Sequence, residues 1–343
     1  MPAPATALAN RQPPRPRRLV IWACIDARRR GSFEDYLLAM AAQAQHQAWQ
    51  VDLVIGDATS ATIRRSFASA GLDVHYRPIT ELLNGRHMTP LLSEIAPDIL
   101  HLHFASPCSP LIKLAQRHRP MRLVVTDHAS TIAAPRSHWL RPFKQHRRRR
   151  YGRWVDLHIG VSDYISQRLR RNRSGRRIET LHNGVDLKRF CPLDDQPQRQ
   201  HRRQQVFNAS EDDILLGFVG QLNQHKGFDL LLQMMRCLPD PRYRLIVAGE
   251  GPLRQHPLAD NPAIQFLGIR DDLPELMPLW DLLLVPSRWG EAFGYVVTEA
   301  AGSGLCTIAS DRGALSELIA DGLSGRLLEP TEPQTWAKTV RDL

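Results

Sequence analysis

The stretch PSRWGEAFGYVVTEAAGSG, residues Pro286 to Gly304, carries two carboxylates, Glu291 and Glu299, on either side of a glycine turn. Gly290 and Gly294 permit positive φ angles and close approach of the backbone. A helix that begins near Gly294 would place its unpaired N–H groups and positive dipole end between the two acids. A diphosphate could bind at that helix start, while each carboxylate accepts hydrogen bonds from hydroxyls on one side of it. A nucleotide sugar has this layout of sugar, diphosphate and ribose.

Short apolar runs alternate with helical or polar segments along the chain. In the first half, the predicted strands are Arg17–Asp26, Gln50–Asp57, Asp98–Phe104, Arg122–His128 and Asp156–Ser162. After a polar, Pro- and Gln-rich stretch at 192–205, the alternation restarts with ILLGFVG, YRLIVAG, AIQFLG, DLLLVPS and GLCTIAS. This alternation predicts an α/β fold with parallel sheets that are covered on both faces. Ligands of such sheets bind beyond the carboxyl ends of the strands.

The composition limits the class of protein. A chain of 343 residues, 43% of them apolar, is long enough for two packed domains. It has no run of about 18 apolar residues, so no transmembrane helix is predicted. Residues 1–18 are rich in Pro, Ala and Arg, which is typical of a disordered tail and not of a signal peptide. Five scattered cysteines without C-x-x-C spacing argue against disulfides or a metal site and indicate a cytoplasmic location.

The net charge of +10 is concentrated in the segment Arg136–Trp154, RSHWLRPFKQHRRRRYGRW. Its mixture of aromatic and basic side chains suits an anionic membrane surface, and would place the protein peripherally on the inner face of the cell membrane. The same pattern fits a surface helix whose aromatic residues pack on its own domain. No helix-turn-helix, RNP-type or zinc motif is present, so no nucleic-acid partner is predicted.

The residues around the two acids resemble the E-x7-E signature of retaining glycosyltransferases of the GT-B fold, in particular glycosyltransferase family 4. The resemblance implies that Glu291 contacts hydroxyls of the transferred sugar and that Glu299 binds the ribose. It also implies that the backbone amides of the turn between them, those of Ala292, Phe293 and Gly294, hold sugar and phosphate.

Other donor-binding residues are implied by the segment GFVGQLNQHKGFD at 217–229, which resembles the family's G-R-L-x-x-x-K-G motif. Lys226 matches the lysine that binds the diphosphate, whereas Gln221 stands in place of the arginine. We therefore expect weaker donor binding, slower turnover, or compensation by another arginine. A later segment resembles the part that cradles the nucleobase through the backbone near Ile269 and Arg270. Backbone recognition leaves the identity of the base open.

The first half should hold the acceptor. Gly31 matches a glycine of the family's loop near the donor phosphates, and Ser32 takes the place of a second glycine. His128 matches the cleft histidine that orients the sugar near its anomeric carbon. For His103, at another predicted strand end, a structural and a functional role stay equally open.

The resemblance covers roughly residues 19–343 and implies two Rossmann-like domains facing across a cleft. The predicted divisions are a disordered tail (1–18), an acceptor-side domain (19–190), a linker (191–212) and a nucleotide-sugar-binding domain (213–343). Family members usually continue into a terminal helix that crosses back onto the first domain. A truncated or naturally short form is therefore expected.

The predicted activity is transfer of a hexose from a nucleotide diphosphate sugar to an acceptor hydroxyl, with retention at the anomeric carbon. His128, Glu291 and Lys226 are the predicted catalytic residues, and a glycan or lipid-linked acceptor of cell-envelope synthesis is expected. No D-x-D triplet occurs, so neither a metal nor another cofactor is predicted. Two alternatives remain open: a nucleotide-sugar epimerase on the same fold, and a non-catalytic or truncated scaffold.

Overall fold

The computed structural model describes residues 15–28, 30–130 and 141–343. Of the predicted tail, residues 1–18, the first 14 lie outside the described residues. The part of the Arg136–Trp154 segment that precedes Arg141 lies outside them as well.

The first half of the chain forms a parallel sheet. Its strands in the described residues are β1 Arg17–Ala23, β2 Trp49–Gly56, β3 Asp73–Arg77, β4 Ile99–His103, β5 Arg122–Asp127, β6 Leu157–Gly160 and β7 Ile178–Thr180. Their spatial order is β3-β2-β1-β4-β5-β6-β7, and each neighbouring pair is parallel. The helices are α1 Ser32–His46, α2 Ala61–Ser69, α3 Ile79–Asn84, α4 Met88–Ile95, α5 Pro110–Ala115, α6 Arg141–Gly152 and α7 Asp163–Arg171, with a 3₁₀ turn at Gln116–His118.

The second half forms another parallel sheet. Its strands are β8 Ile214–Val219, β9 Tyr243–Ala248, β10 Ile264–Gly268, β11 Leu282–Val285, β12 Cys306–Ser310 and β13 Gly325–Leu328, in the spatial order β10-β9-β8-β11-β12-β13. The helices are α8 Gln196–Phe207, α9 Phe228–Arg236, α10 Leu273–Leu276, α11 Tyr295–Gly302, α12 Leu315–Leu318 and α13 Pro333–Asp342. Three 3₁₀ turns lie at Pro252–Gln255, Pro257–Asp260 and Met277–Leu279.

Both sheets are buried on both faces, as the apolar strand pattern predicts. Alternate residues of β1 point to opposite sides. Val20 and Trp22 pack with α3, α4 and α5, whereas Leu19 and Ile21 pack with α1 and α2. In the second sheet, one cluster includes α9 and α13 and the other includes α8 and α11. The prediction of an α/β fold with two parallel sheets is confirmed.

Some elements were not predicted from the sequence. The strands β3, β7 and β13 are absent from the predicted set because they are short and only partly buried. The predicted linker, residues 191–212, contains the helix α8. This helix is polar on its exposed side, while Phe207 is buried in the second domain. The exact limits of the domains stay a prediction.

The order of the strands in each sheet determines where a ligand site can form. The sheet order reverses beside β1 in the first domain and beside β8 in the second, so the loops after the adjacent strands diverge and leave a crevice there. The loop after β1 leads into α1. The loops after β8 and β11 contain the segments at 220–227 and 286–294.

Candidate active site

The loops after β8 and β11 contact each other, and this contact positions Lys226. Gly227 has φ +70°, and a Cβ at this position would lie 1.9 Å from the carbonyl oxygen of Pro286. Glycine is therefore required here. The close approach places the Nζ of Lys226 2.6 Å from the Oε1 of Glu291.

Glu291 is 6% exposed and is held by several donors. Besides Lys226, the Oγ of Ser287 and the Nε1 of Trp289 each donate to its Oε1 at 2.6 Å. The Nζ of Lys226 also lies 4.9 Å from the centre of the Trp289 ring. Burial acts to raise the pKa of the Glu291 carboxyl, but the charge of Lys226 and these hydrogen bonds outweigh it and hold the pKa below its usual value. Glu291 is therefore a charged carboxylate at neutral pH.

The turn and helix after Glu291 form as predicted. Gly294 is the N-cap of α11 and has φ +105°, a conformation that favours glycine. A Cβ there would also lie 2.7 Å from the Cδ2 of Leu315. Because α11 begins at Tyr295, its positive end lies between the two acids, which the sequence predicted.

Glu299 lies on α11 and is 8% exposed. Its Oε1 accepts a hydrogen bond of 2.5 Å from the Oγ of Ser32, the first residue of α1. Burial raises the pKa of the Glu299 carboxyl, against the opposing effects of the Ser32 hydroxyl and the charge of Arg189. The two acids of the motif thus have opposite pKa shifts.

Two other serines of the first domain contact the turn. The backbone N–H of Ala292 donates to the Oγ of Ser130 at 3.1 Å, and the Oγ of Ser162 donates to the carbonyl oxygen of Ala292 at 2.6 Å. Ala292 and Phe293 also pack with apolar residues of the first domain, among them Ile165. The predicted turn is therefore part of the contact between the domains.

A third contact between the domains involves Glu317. Its carboxylate accepts hydrogen bonds from the backbone N–H groups of Asp163 and Tyr164 at the start of α7. The Nε2 of His182 lies 3.1 Å from its Oε2. An acid at a helix N-terminus is favourable because it satisfies unpaired N–H groups and the helix dipole.

His128 belongs to a group of histidines and aromatic rings at the ends of β4 and β5. Its Nε2 lies 2.9 Å from the Nδ1 of His103, and its ring stacks on Phe104 with centres 4.4 Å apart. The Nε2 of His101 lies 2.7 Å from the Oγ1 of Thr126. Burial lowers the pKa of His128 to about 4 and that of His101 to about 3, and it lowers the pKa of His103 as well. The three histidines are therefore neutral at pH 7.

Since the His103 and His128 nitrogens share one hydrogen bond, one ring donates and the other accepts. His103 is fully buried and thereby fixes the ring orientation of His128.

A pocket of ≈ 400 Å³ lies at the carboxyl ends of β8, β9 and β10. Its lining includes the predicted residues Gln221, Ile269 and Arg270, together with Val219, Gly220, Ala248, Gly249, Glu250 and Leu273. The side-chain oxygen of Gln221 accepts from Asn223 at 3.0 Å, and Arg270 pairs with Asp272. The pocket is largely apolar in character, which suits a planar ring.

Gly31, the remaining predicted residue, is the N-cap of α1. Its backbone N–H donates to the Oε2 of Glu34 at 2.8 Å, so the start of the helix is fixed. Gly31 therefore lies beside Ser32 and across from Glu299, whereas Gln221, Ile269 and Arg270 lie around the pocket.

A larger cavity, ≈ 1190 Å³, lies between α8, α13 and the amino ends of β8, β9 and β11. Its arginines serve the fold: Arg199 and Arg203 both bind Asp281 and backbone carbonyls. Because ligands of parallel sheets bind at the carboxyl ends, we place the site at the smaller pocket.

In the described part of the chain, Asp163, His182 and Glu317 form a group with spacing suitable for a metal ion. The Glu317 oxygens already accept hydrogen bonds from α7 and His182, and the group includes neither Glu291 nor Glu299. It therefore gives no support for a metal in the candidate site.

Sequence reasoning missed the residues that support the acids. Ser287 and Trp289 flank Glu291 in the quoted stretch, so a search for polar neighbours could have found them. Ser130 and Ser162 carry no sequence signal, because they reach the turn from more than a hundred residues away.

Comparisons with known proteins agree with this architecture. Residues 33–189 match the family model described as Glycosyltransferase Family 4, and residues 199–343 match the model described as Glycosyl transferases group 1. The two parallel-sheet domains have the GT-B fold, and the two family models identify the chain as a glycosyltransferase. The chain belongs to glycosyltransferase family 4.

The curated relatives include D-inositol 3-phosphate glycosyltransferases. That of Corynebacterium kroppenstedtii is 30% identical over 183 residues, which are 48% of this chain and 40% of the relative. That of Jonesia denitrificans is 33% identical over 182 residues, 48% of this chain and 42% of the relative. The match thus spans about two fifths of the length of these relatives.

Solved structures share the fold over most of the chain. Anabaena Alr3699/HepE, in complex with UDP and glucose, is 20% identical with a TM-score of 0.71, covering 95% of this chain and 89% of that chain. WaaG, a glycosyltransferase involved in lipopolysaccharide biosynthesis, is 18% identical with a TM-score of 0.71, covering 95% and 90%. At these identities the likeness shows the fold alone.

The buried histidines should make the protein less stable as the pH falls below 6.5. Burial lowers the pKa of His158 on β6 to about 4, and it acts in the same direction on the three histidines near the site. Below pH 6.5 the unfolded chain binds protons that the folded chain binds only at a lower pH. The free energy of unfolding should therefore fall by about 1.4 kcal/mol per pH unit for each histidine.

Urea unfolding between pH 7.5 and 4.5 measures this dependence. The variant His158→Leu removes one titrating group and should reduce the slope, whereas His201→Gln, at an exposed position on α8, should leave it unchanged. A slope identical in wild type and His158→Leu would contradict the assignment.

Proposed function

We propose that this protein transfers a hexose from a nucleotide diphosphate sugar to an acceptor hydroxyl, with retention at the anomeric carbon. The observation that carries the proposal is the arrangement of Glu291 and Glu299 on either side of the positive end of α11. Lys226 lies against the first acid, and the ≈ 400 Å³ pocket lies beyond the same strand ends. Carboxylates for hydroxyls and a cation with a helix N-terminus for phosphate match the parts of such a donor.

In this proposal the pocket beside Ile269 and Arg270 holds the nucleobase, and Glu299 binds the ribose. Gly31 and the amides of Phe293 and Gly294 lie along the diphosphate. The Anabaena structure, solved with UDP and glucose, supports a nucleotide-sugar donor in this fold. The relatives named D-inositol 3-phosphate glycosyltransferases support a hydroxyl acceptor.

The amide of Ala292 is also a predicted donor-binding group. Its N–H donates to Ser130, so a donor at this amide must displace the serine hydroxyl or bind beside it. The exchange keeps one hydrogen bond to the amide, and its cost is therefore small.

Lys226 and Glu291 neutralise each other before the donor binds. A buried carboxylate without a partner is costly, so the ion pair stabilises Glu291 within the site. When the diphosphate binds, the ammonium group of Lys226 turns to phosphate, and sugar hydroxyls take its place at Glu291. Ser287 and Trp289 keep their hydrogen bonds to the carboxylate during this exchange.

In the reaction, negative charge develops on the leaving diphosphate. Lys226 and the N-terminus of α11 stabilise that charge. Gln221 adds at most a neutral hydrogen bond, and Arg288 is held by Asp229 at 2.7 Å. His128, neutral at pH 7, provides a hydrogen bond near the reacting carbon without adding a charge.

Because the sequence contains no D-x-D triplet to hold a metal at the diphosphate, we expect metal-independent activity. Transfer should persist at the same rate after treatment with EDTA, since Lys226 and α11 carry the neutralising charge. The assay measures release of the nucleoside diphosphate from the donor, with the acceptor present, before and after chelation. Loss of activity on chelation with rescue by Mn²⁺ would contradict this mechanism.

Donor binding should depend on Glu299. Isothermal calorimetry with UDP-, GDP-, ADP- and dTDP-sugars should find a preferred nucleotide. Glu299→Ala should weaken its binding by about 1.5–3 kcal/mol, because it removes a hydrogen bond from ribose to a charged group. Glu332→Ala, an exposed acid before α13, is the matched control and should bind like wild type. An unchanged Kd in Glu299→Ala would refute the ribose role, and binding without turnover would favour a non-catalytic scaffold.

We further propose that α6 contacts an anionic membrane, where a lipid-linked or envelope-glycan acceptor would be found. The helix, RPFKQHRRRRYG, contains no acidic residue, and Phe143 is 73% exposed. Tyr151 and Trp154 stack with centres 5.2 Å apart and pack on the core. The end of α6 is thus fixed on the domain, while Arg149 and Arg150 face solvent. Among the helices described, none has the length and apolarity to cross a membrane.

Flotation with vesicles tests this surface. The protein should float with phosphatidylglycerol-containing vesicles at low salt, and much less with pure phosphatidylcholine, since each basic residue near an anionic surface contributes about 1 kcal/mol. The variant Phe143→Ser/Arg149→Gln/Arg150→Gln should float less. Arg171→Gln/Arg176→Gln, which removes two exposed charges elsewhere, is the control. Failure of the wild type to float at low salt would remove the proposal.

A further inference from the structure

Ser32 departs from the glycine expected at its position, and its hydroxyl has a defined partner. The Oγ of Ser32 donates to the Oε1 of Glu299 at 2.5 Å across the boundary between the domains. The two residues are 6% and 8% exposed, so water does not compete for this hydrogen bond. The contact therefore belongs to the ribose side of the proposed donor site.

Ser32 cannot easily turn away from Glu299. It is the first residue of α1, and the N-cap, Gly31, is tied to Glu34 by a hydrogen bond of 2.8 Å. The next residue, Phe33, is buried and packs edge-on against Phe104 with ring centres 4.8 Å apart. The helix start is thus fixed on the core of the first domain, and the Ser32 hydroxyl is fixed with it.

A carboxylate recognises a ribose most simply through its two oxygens, one for each of the adjacent 2′ and 3′ hydroxyls. In Glu299, Oε1 is bound to Ser32. In the described residues, Oε2 has no hydrogen-bond partner. Oε2 is therefore the acceptor for which a nucleoside hydroxyl meets no competition from the described part of the protein.

We propose that Ser32 is a specificity-determining residue: by donating to Oε1 of Glu299, it competes with the ribose for that oxygen, so that the 2′ and 3′ hydroxyls contribute unequally to binding. The inference rests on the proposed function, in which Glu299 faces the ribose. A glycine or alanine at position 32 would remove this competition, and both hydroxyls would then contribute similarly to binding.

Three nucleotides measure the effect in the wild-type protein: UDP, 2′-deoxy-UDP and 3′-deoxy-UDP, or their guanine or adenine counterparts if the donor panel selects GDP or ADP. Calorimetry should find that one deoxy analogue binds within about threefold of the parent nucleotide. The other should bind about tenfold or more weakly, the effect of losing a hydrogen bond to a charged group.

Ser32→Ala removes the hydroxyl and keeps a side chain compatible with the start of α1. In this variant both deoxy analogues should bind about tenfold or more weakly than the parent nucleotide, whose own Kd should fall. Ser303→Ala is the matched control. Its hydroxyl is also buried near α11, but it donates to the backbone carbonyl of Glu299 at 2.9 Å and not to the carboxylate. It should keep the wild-type ratios.

The possible outcomes distinguish the role of Ser32 from the proposed function. If both deoxy analogues bind the wild type about tenfold more weakly than the parent, Glu299 holds both hydroxyls and the role of Ser32 is overturned, while the donor site stands. If no nucleoside diphosphate binds at all, the proposed function and the role of Ser32 fall together. The comparison of nucleotides in the wild-type protein is enough to overturn the role of Ser32. The test therefore holds even if Ser32→Ala folds poorly.

Discussion

The ion pair between Lys226 and Glu291 is the interaction on which the candidate site depends. A carboxylate that is 6% exposed requires a counter-charge and hydrogen-bond donors, because removing either partner would leave a buried charge uncompensated. The pair forms only because the loops after β8 and β11 touch at Gly227, where no side chain fits. Two neighbouring strands of one sheet thereby fix the cation, the acid and the start of α11 relative to each other, and the first domain closes over them.

The two acids of one motif show how the environment sets a chemical role. They are eight positions apart and similarly buried, yet the pKa of Glu291 is lowered and that of Glu299 is raised. The difference lies in the neighbours: an ammonium group for the first, and a single serine hydroxyl with a more distant arginine for the second. A strongly held charge suits the reacting side of the proposed donor. Among the described residues, Glu299 has fewer hydrogen-bond donors and no paired cation, so its carboxylate can accept hydrogen bonds from a nucleoside.

Much of this could be predicted from the sequence, since the decisive signals are local. The apolar strands, the glycine turn at Gly294 and the spacing of the acids all lie within short windows, and the helix after the turn was confirmed. Support from distant residues could not be predicted. Ser130 and Ser162 approach Ala292 through the relative placement of two domains, which no local pattern encodes. The helix α8 was missed because only two of its residues, Arg203 and Phe207, are buried in an otherwise polar run.

Domain closure and donor binding use the same groups in the proposed reaction. Ser32, Ser130 and Ser162 join the first domain to the acids and the turn of the second, and two of the groups they bind, the carboxylate of Glu299 and the amide of Ala292, are also expected to face the donor. Hydroxyls of the protein thus hold positions that hydroxyls and oxygens of a nucleotide sugar would share or take over. Such an exchange leaves the number of hydrogen bonds nearly unchanged, so it contributes little to the free energy of binding. The net driving force for binding then comes from the charge of the diphosphate at Lys226 and α11 and from burial of the base.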